Sequence, residues 1–198
     1  MGDHVLFFYG TLMSPAILHR VIHGRADPEP WQRAYLRIQP AVLPHYRRHR
    51  VRGADYPGIL PVGSSPDGGM GDGCANDRGR NGTASVLGTL VTGLTDGDVY
   101  RLDRFEGGEY SKVRVRVRVV GEEQGEGRGK DQGDEEQDVR TELHTTPLPD
   151  TTEPSQEVEA LTYVWTAERE RLEDAEWDFE AFKRDKLAWW VEADECEW

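Results

Sequence analysis

Apolar and basic residues alternate with period two along Val113-Arg-Val-Arg-Val-Arg-Val119, which predicts a strand with one apolar and one basic face. His4-Val-Leu-Phe-Phe-Tyr9 is apolar almost throughout and reads as a buried strand. Ser14-Pro15 then opens a helix, with serine as N-cap and proline at the first helical position. Ile17, Leu18, Val21 and Ile22 supply its apolar stripe, and Gly24 ends it. Between positions 31 and 62, short strand-like pieces at 34–38, 41–43 and 59–62 alternate with turns. Residues 85–93 form a further strand, and 158–166 another that resumes the sheet beside 113–119, so this pair is one hairpin with a long insert. Residues 169–191 read as helical, with Phe179, Phe182, Leu187 and Trp190 near one face that docks on the sheet. Strands outnumber helices and do not alternate regularly with them. The expected class is α+β: a small, mostly antiparallel β-barrel or twisted sheet with flanking helices.

The helical pattern over 95–105 carries the most chemical information. Thr95 and Asp98 make a start signal related to the capping box. Val99, Leu102 and Glu106 share one face at 3.6 residues per turn, so Glu106 follows two core residues inward. Gly107 and Gly108 end the helix and permit close approach of backbone or substrate. A carboxyl group in a pocket is a candidate for proton transfer, because burial raises its pKa toward neutrality. The alternative is a helix that stops early and leaves Glu106 in solvent. A second feature is the turn at Tyr9, Gly10, Thr11 and Leu12, where a strand passes into a Ser-capped helix. Such a turn presents free N–H groups that suit an anion, carboxylate as well as phosphate, although it also fits an ordinary connection. It is not a P-loop, since no Gly-Lys pair follows. Together, an anion cradle and an inward acid suit a small amino-acid-like substrate.

At 198 residues the chain is expected to form a single domain, with flexible insertions at about 63–85 and 121–157. The first holds 7 glycines in 23 positions, and the second is rich in Gly, Glu and Asp and then in Thr and Pro. The net charge of −13 is unevenly spread: residues 1–120 carry +4, and the acidity lies in 121–198. That balance disfavours nucleic acid as a partner. Cys74 and Cys196 form neither a disulfide framework nor a metal spacing, which fits a reducing, cytoplasmic setting. No apolar run is long enough to cross a membrane as a helix, and no signal peptide is evident. Leu6 occupies the position where a myristoylation motif requires Ser or Thr. The oligomeric state stays open, and a monomer is compatible with the acidic surface.

Several other features invite roles and have simpler readings. His19 and His23 stand four apart on a helix, a metal spacing without an evident third ligand, so no metal is expected. Arg47-Arg-His-Arg50 with Arg52 reads as a solvated strand face. Arg114, Arg116 and Arg118 read as a face that pairs with the acidic C-terminal third. Trp177, Trp189, Trp190 and Trp198 read as core or helix-docking residues. Asp103 and Glu109 read as supports for the Glu106 turn.

Four runs together resemble the gamma-glutamylcyclotransferase-like (AIG2-like) family. They are Phe8-Tyr-Gly-Thr-Leu12, Val51-Arg-Gly-Ala-Asp-Tyr-Pro-Gly-Ile-Leu-Pro61, Leu102-Asp-Arg-Phe-Glu-Gly-Gly-Glu-Tyr110 and Ala160-Leu-Thr-Tyr-Val-Trp165. The resemblance implies a small barrel with flanking helices around a cavity. It implies that Tyr9, Gly10, Thr11 and Leu12 hold the glutamyl end of a small γ-glutamyl substrate, that Glu106 is catalytic, and that Tyr110 lines the cavity. The implied reaction is internal acyl transfer: the α-amine of a γ-glutamyl group attacks its own γ-carbonyl and 5-oxoproline is released, with no metal or organic cofactor. A specialised deglutamylase and a non-catalytic module that binds a small ligand or a partner protein are the competing readings.

Overall fold

The computed structural model describes residues 2–63, 84–120 and 156–192, so the expectations for 63–85 and 121–157 fall almost wholly outside the described residues. Five strands close a barrel in the order β1 (His4–Phe8), β5 (Ser85–Leu94), β2 (Arg37–Pro44), β6 (Tyr110–Val119) and β7 (Glu157–Trp165). Five strands cannot alternate direction all the way round, so one contact must be parallel. That contact is β1 with β7, at Leu6 opposite Leu161, while the other four are antiparallel. A second sheet, in the order β4 (Pro57–Pro61), β3 (Tyr46–Val51) and β8 (Leu172–Glu173), stands beside it.

β1 is buried on both faces, which is why its sequence is continuously apolar rather than alternating. Phe7 and, just beyond the strand, Tyr9 join a cluster to which all five barrel strands contribute, including Leu43, Leu90, Val117 and Ala160. Leu6 and Phe8 point the other way, into a cluster formed with the helices through Ile17, Leu18, Leu102 and Trp190. β6 and β7 pair from Tyr110 opposite Trp165 to Arg118 opposite Glu157, as a hairpin whose insert separates the two strands. Two arginines of β6 pair with the neighbouring strand: Arg114 with Glu159 at 3.1 Å and Arg118 with Glu157 at 3.3 Å. Among the described residues, Arg114 and Arg118 thus pair with glutamates of β7 rather than with acids of 168–192.

α1 (Pro15–His23) starts after Ser14 with Pro15 in its first turn and ends at Gly24 in the left-handed conformation, φ +73°. The Ser14 side chain makes no capping hydrogen bond, so the proline and the backbone define this start. Residues 34–38 do not form a strand throughout. Pro30–Ala34 is a short helix, α2, closed by a reciprocal capping box between Glu29 and Gln32, and β2 begins only at Arg37. The single helix expected over 169–191 is also not formed. Arg50 N donates to the Ala175 carbonyl at 3.0 Å and Arg52 N to that of Arg171 at 2.8 Å, so β3 draws this segment into a sheet as β8. Helix resumes only at α4 (Phe179–Asp185), where Asp178 accepts from the N–H groups of Glu180 and Ala181, and α5 (Leu187–Glu192) follows a break at Lys186. Trp177 and Trp190 are buried core residues, Trp189 is exposed, and Trp198 lies outside the described residues. No helix among the described residues is long and apolar enough to cross a membrane.

Candidate active site

α3 (Asp96–Glu106) carries the inward acid. Its start is fixed by a reciprocal box: Thr95 Oγ1 accepts from Asp98 N at 3.2 Å, and Asp98 Oδ2 accepts from Thr95 N at 2.9 Å. Val99 and Leu102 are buried against the helices and barrel, and Glu106 continues their face into a cavity of about 260 Å³. Immediately after it, Gly107 adopts φ +66° and ψ −158°, a backbone conformation essentially reserved for glycine. Any side chain there has open space but a strained backbone, so the chain's turn from α3 into β6 depends on this glycine.

The cavity gathers all six residues singled out in the sequence: Tyr9, Gly10, Thr11, Leu12, Glu106 and Tyr110. Thr11–Met13 form a single 3-10 turn whose first bond runs from Met13 N to the Gly10 carbonyl at 3.0 Å. The N–H groups of Thr11 and Leu12 precede that bond, in the position where a turn offers free donors. Glycine at position 10 is set by packing, because a Cβ there stands 2.9 Å from the ring of Pro57.

Glu106 is held in its acid form. Burial pushes its pKa from 4.5 to about 8, and the nearby Asp103 carboxylate adds to the shift. Asp103 itself accepts from Tyr163 Oη and from Lys112 Nζ, each at 2.8 Å. The tyrosines on the wall are anchored by their hydroxyls. Tyr9 Oη donates to the Tyr163 carbonyl at 2.6 Å, and Tyr110 Oη donates to the Pro57 carbonyl at 2.9 Å. Burial raises the pKa of both phenols, so both remain protonated. Tyr56 Oη donates to Glu109 Oε2 at 3.0 Å, and Arg171 forms an ion pair with the same carboxylate. Glu109 is thus neutralised by a cation while Glu106 is not. His19 and His23 stack with ring centroids 5.4 Å apart, and no cluster of three or more His, Cys, Asp or Glu suited to a metal occurs among the described residues.

The model of the family described as "Gamma-glutamyl cyclotransferase, AIG2-like" matches residues 6–179. The chain belongs to this family. Protein AIG2 C of Arabidopsis thaliana is 25% identical over 181 residues, covering 91% of this chain and 73% of its own length. Protein AIG2 A of the same plant is 28% identical over 191 residues, covering 96% and 76%. Among solved structures, an Arabidopsis thaliana protein determined in solution shares 24% identity over 91% of this chain and 80% of its own, with a TM-score of 0.48. A gamma-glutamyl cyclotransferase specific to glutathione from yeast shares 13% identity over 89% and 74%, with a TM-score of 0.47.

In this member of the AIG2-like family the cavity also uses residues that the sequence did not single out. Tyr56, Pro57, Phe105, Tyr163 and Trp190 complete its wall. Tyr56, Pro57 and Tyr163 lie within the runs that carry the resemblance, so the signal was present as motif but not as role. Trp190 reaches the cavity from α5, edge-on to Phe105 at 6.0 Å, and only the tertiary fold places it there.

Proposed function

We propose that the protein is a gamma-glutamyl cyclotransferase that releases 5-oxoproline from a small γ-glutamyl amine or peptide, with Glu106 as general acid and base. The observation that carries the reading is Glu106, a carboxyl group lining the cavity with its pKa raised to about 8. A peptide α-amine titrates at roughly 7.7–8.0, and a free carboxylate on the same carbon raises it somewhat further. Glu106 and the substrate amine therefore have similar proton affinities, and a proton moves between them at little cost in free energy.

The substrate's α-carboxylate binds the free N–H groups of the 10–12 turn, which places the α-nitrogen beside Glu106. In the productive state Glu106 has given up its proton to solvent, and the two groups together hold one exchangeable proton. The ammonium passes it to the carboxylate, and the neutral amine attacks the γ-carbonyl carbon. A new C–N bond closes the five-membered ring. Glu106 then gives its proton to the departing nitrogen as the original amide C–N bond breaks. The ring nitrogen surrenders a second proton and keeps one as the lactam N–H, while the released amine takes up the other. Both reacting groups belong to one molecule, so holding its reactive conformer supplies much of the acceleration. The cavity is below the roughly 300–1,000 Å³ of sites for drug-sized ligands, which suits a glutamyl group with the leaving amine directed outward.

The pH dependence of 5-oxoproline release tests this reading. Productive encounter needs one proton shared by Glu106 and the amine, so kcat/KM rises about tenfold per pH unit from 6 toward 8 and falls above the amine's pKa. An unperturbed glutamate would instead give a flat profile over pH 6–8, and that result rejects the proposed proton role.

A further inference from the structure

Arg48 is a buried cation in a run expected to be solvated. Its side chain is only 11% exposed, although its neighbours Arg47 and Arg50 on β3 lie in solvent. Nη1 donates to the Tyr9 carbonyl at 3.0 Å and reaches the Leu87 carbonyl at 3.5 Å. Nη2 donates to Glu176 Oε1 at 3.1 Å, and the guanidinium lies over the Trp177 ring, 5.6 Å from its centroid. Nε is buried with no hydrogen-bond partner. Burying a guanidinium against one largely exposed glutamate, with a donor unsatisfied, is a poor way to gain stability. The arrangement does, however, fix the direction of one peptide group. The Tyr9–Gly10 bond is trans and planar, so the Gly10 N–H points opposite to the Tyr9 carbonyl. Arg48 lines a separate surface depression with Met13 and Trp177 that shares no residue with the cavity. Drawing the carbonyl toward that depression turns the N–H the other way.

We infer that Arg48 is a positioning residue that holds the Gly10 N–H toward the cavity as a donor to the carboxylate of the ligand. The inference rests on the proposed function, in which the 10–12 turn receives the substrate's α-carboxylate. Arg48 touches no substrate atom and acts only through the Tyr9–Gly10 peptide. Lysine at this position keeps the charge but loses the fork that reaches the Tyr9 carbonyl and Glu176 together.

The test compares binding of 5-oxoproline and of 2-pyrrolidinone, the same lactam without a carboxylate, to wild type, Arg48→Lys and Arg48→Met by NMR shift titration. Wild type prefers 5-oxoproline. Both variants lose about ten- to a hundredfold of that preference, the worth of one hydrogen bond to a charged group, while binding 2-pyrrolidinone as wild type does. Arg48→Lys carries the test if Arg48→Met fails to fold. Equal weakening of both ligands, or full preference retained in Arg48→Lys, overturns the positioning role while the proposed function stands. Equal affinity of wild type for the two ligands overturns the carboxylate cradle itself, and the role of Arg48 with it.

Discussion

Replacing Glu106 with glutamine yields a protein that is more stable at neutral and alkaline pH and almost inactive. Below pH 4.5 the carboxyl is protonated in both folded and unfolded chains and costs nothing. Between 4.5 and about 8 the folded protein retains a proton that the unfolded chain has released, so stability falls as pH rises and levels off above 8. Glutamine has no charge to bury and removes that penalty. The full shift corresponds to roughly 1.4 kcal/mol per unit, discounted for the group's contact with solvent through the cavity, which leaves a gain on the order of 2–4 kcal/mol at pH 8. In a chain of this size that raises Tm by about 5–10 °C at pH 8, with little change at pH 4. Turnover drops by about 10²–10⁴, the usual worth of general acid–base catalysis. Thermal melts at both pH values and the rate of 5-oxoproline release measure the two effects. A Tm difference that is the same at pH 4 and pH 8 contradicts the assigned burial of Glu106.

Gly10→Ala acts on the other half of the site. Its Cβ meets the Pro57 ring at 2.9 Å, and a proline ring has no rotamer by which to withdraw. Pro57 opens β4, is paired with Arg50 of β3, and its carbonyl anchors the Tyr110 hydroxyl. The substitution therefore displaces the 10–12 turn or the Tyr110 wall. Overpacking of this kind costs about 1–3 kcal/mol. A displacement of even 1 Å at a site that positions substrate can cost about a hundredfold in rate. The expected result is a Tm lower by several degrees and a KM for γ-glutamyl substrate raised at least about tenfold. Gly97→Ala is the control. It lies on the first turn of α3 with its nearest neighbour atom at 3.6 Å, and it should leave KM unchanged and stability equal or higher. An unaltered KM in Gly10→Ala removes the turn from the substrate site.

What the sequence reveals here follows the range of the forces involved. Glu106 is legible because Val99, Leu102 and the Thr95–Asp98 box define a helix face within a dozen residues. The β6–β7 hairpin is legible because strict alternation over Val113 to Val119 belongs to a strand paired along one face. The 169–178 segment is not legible, because its backbone follows hydrogen bonds from Arg50 and Arg52, more than a hundred residues earlier in the chain. α2 is missed because Glu29, Pro30 and Gln32 make a helix start too short to show a period. Arg48 deceives for the same reason that makes it informative. A cation between two exposed arginines reads as surface, and only the fold reveals the Tyr9 carbonyl and Trp177 that enclose it. Likewise, the cavity brings together the glycine turn, Glu106, Tyr56 and Tyr163 from separate elements, and no local pattern reports that meeting. Helix periodicity and the strand-to-helix turn marked the first two as candidates, and the family resemblance gave them their implied roles. The burial and the Asp103 carboxylate that raise the Glu106 pKa, and the Arg171 ion pair at Glu109, required the structure.

The most direct test of the account is release of 5-oxoproline from γ-glutamyl-alanine, γ-glutamyl-ε-lysine and glutathione by wild type beside Glu106→Gln. The account predicts release from at least one of these compounds by wild type and loss of that release in the folded variant. Release that persists undiminished in Glu106→Gln, or none from any of the three by folded wild type, contradicts it.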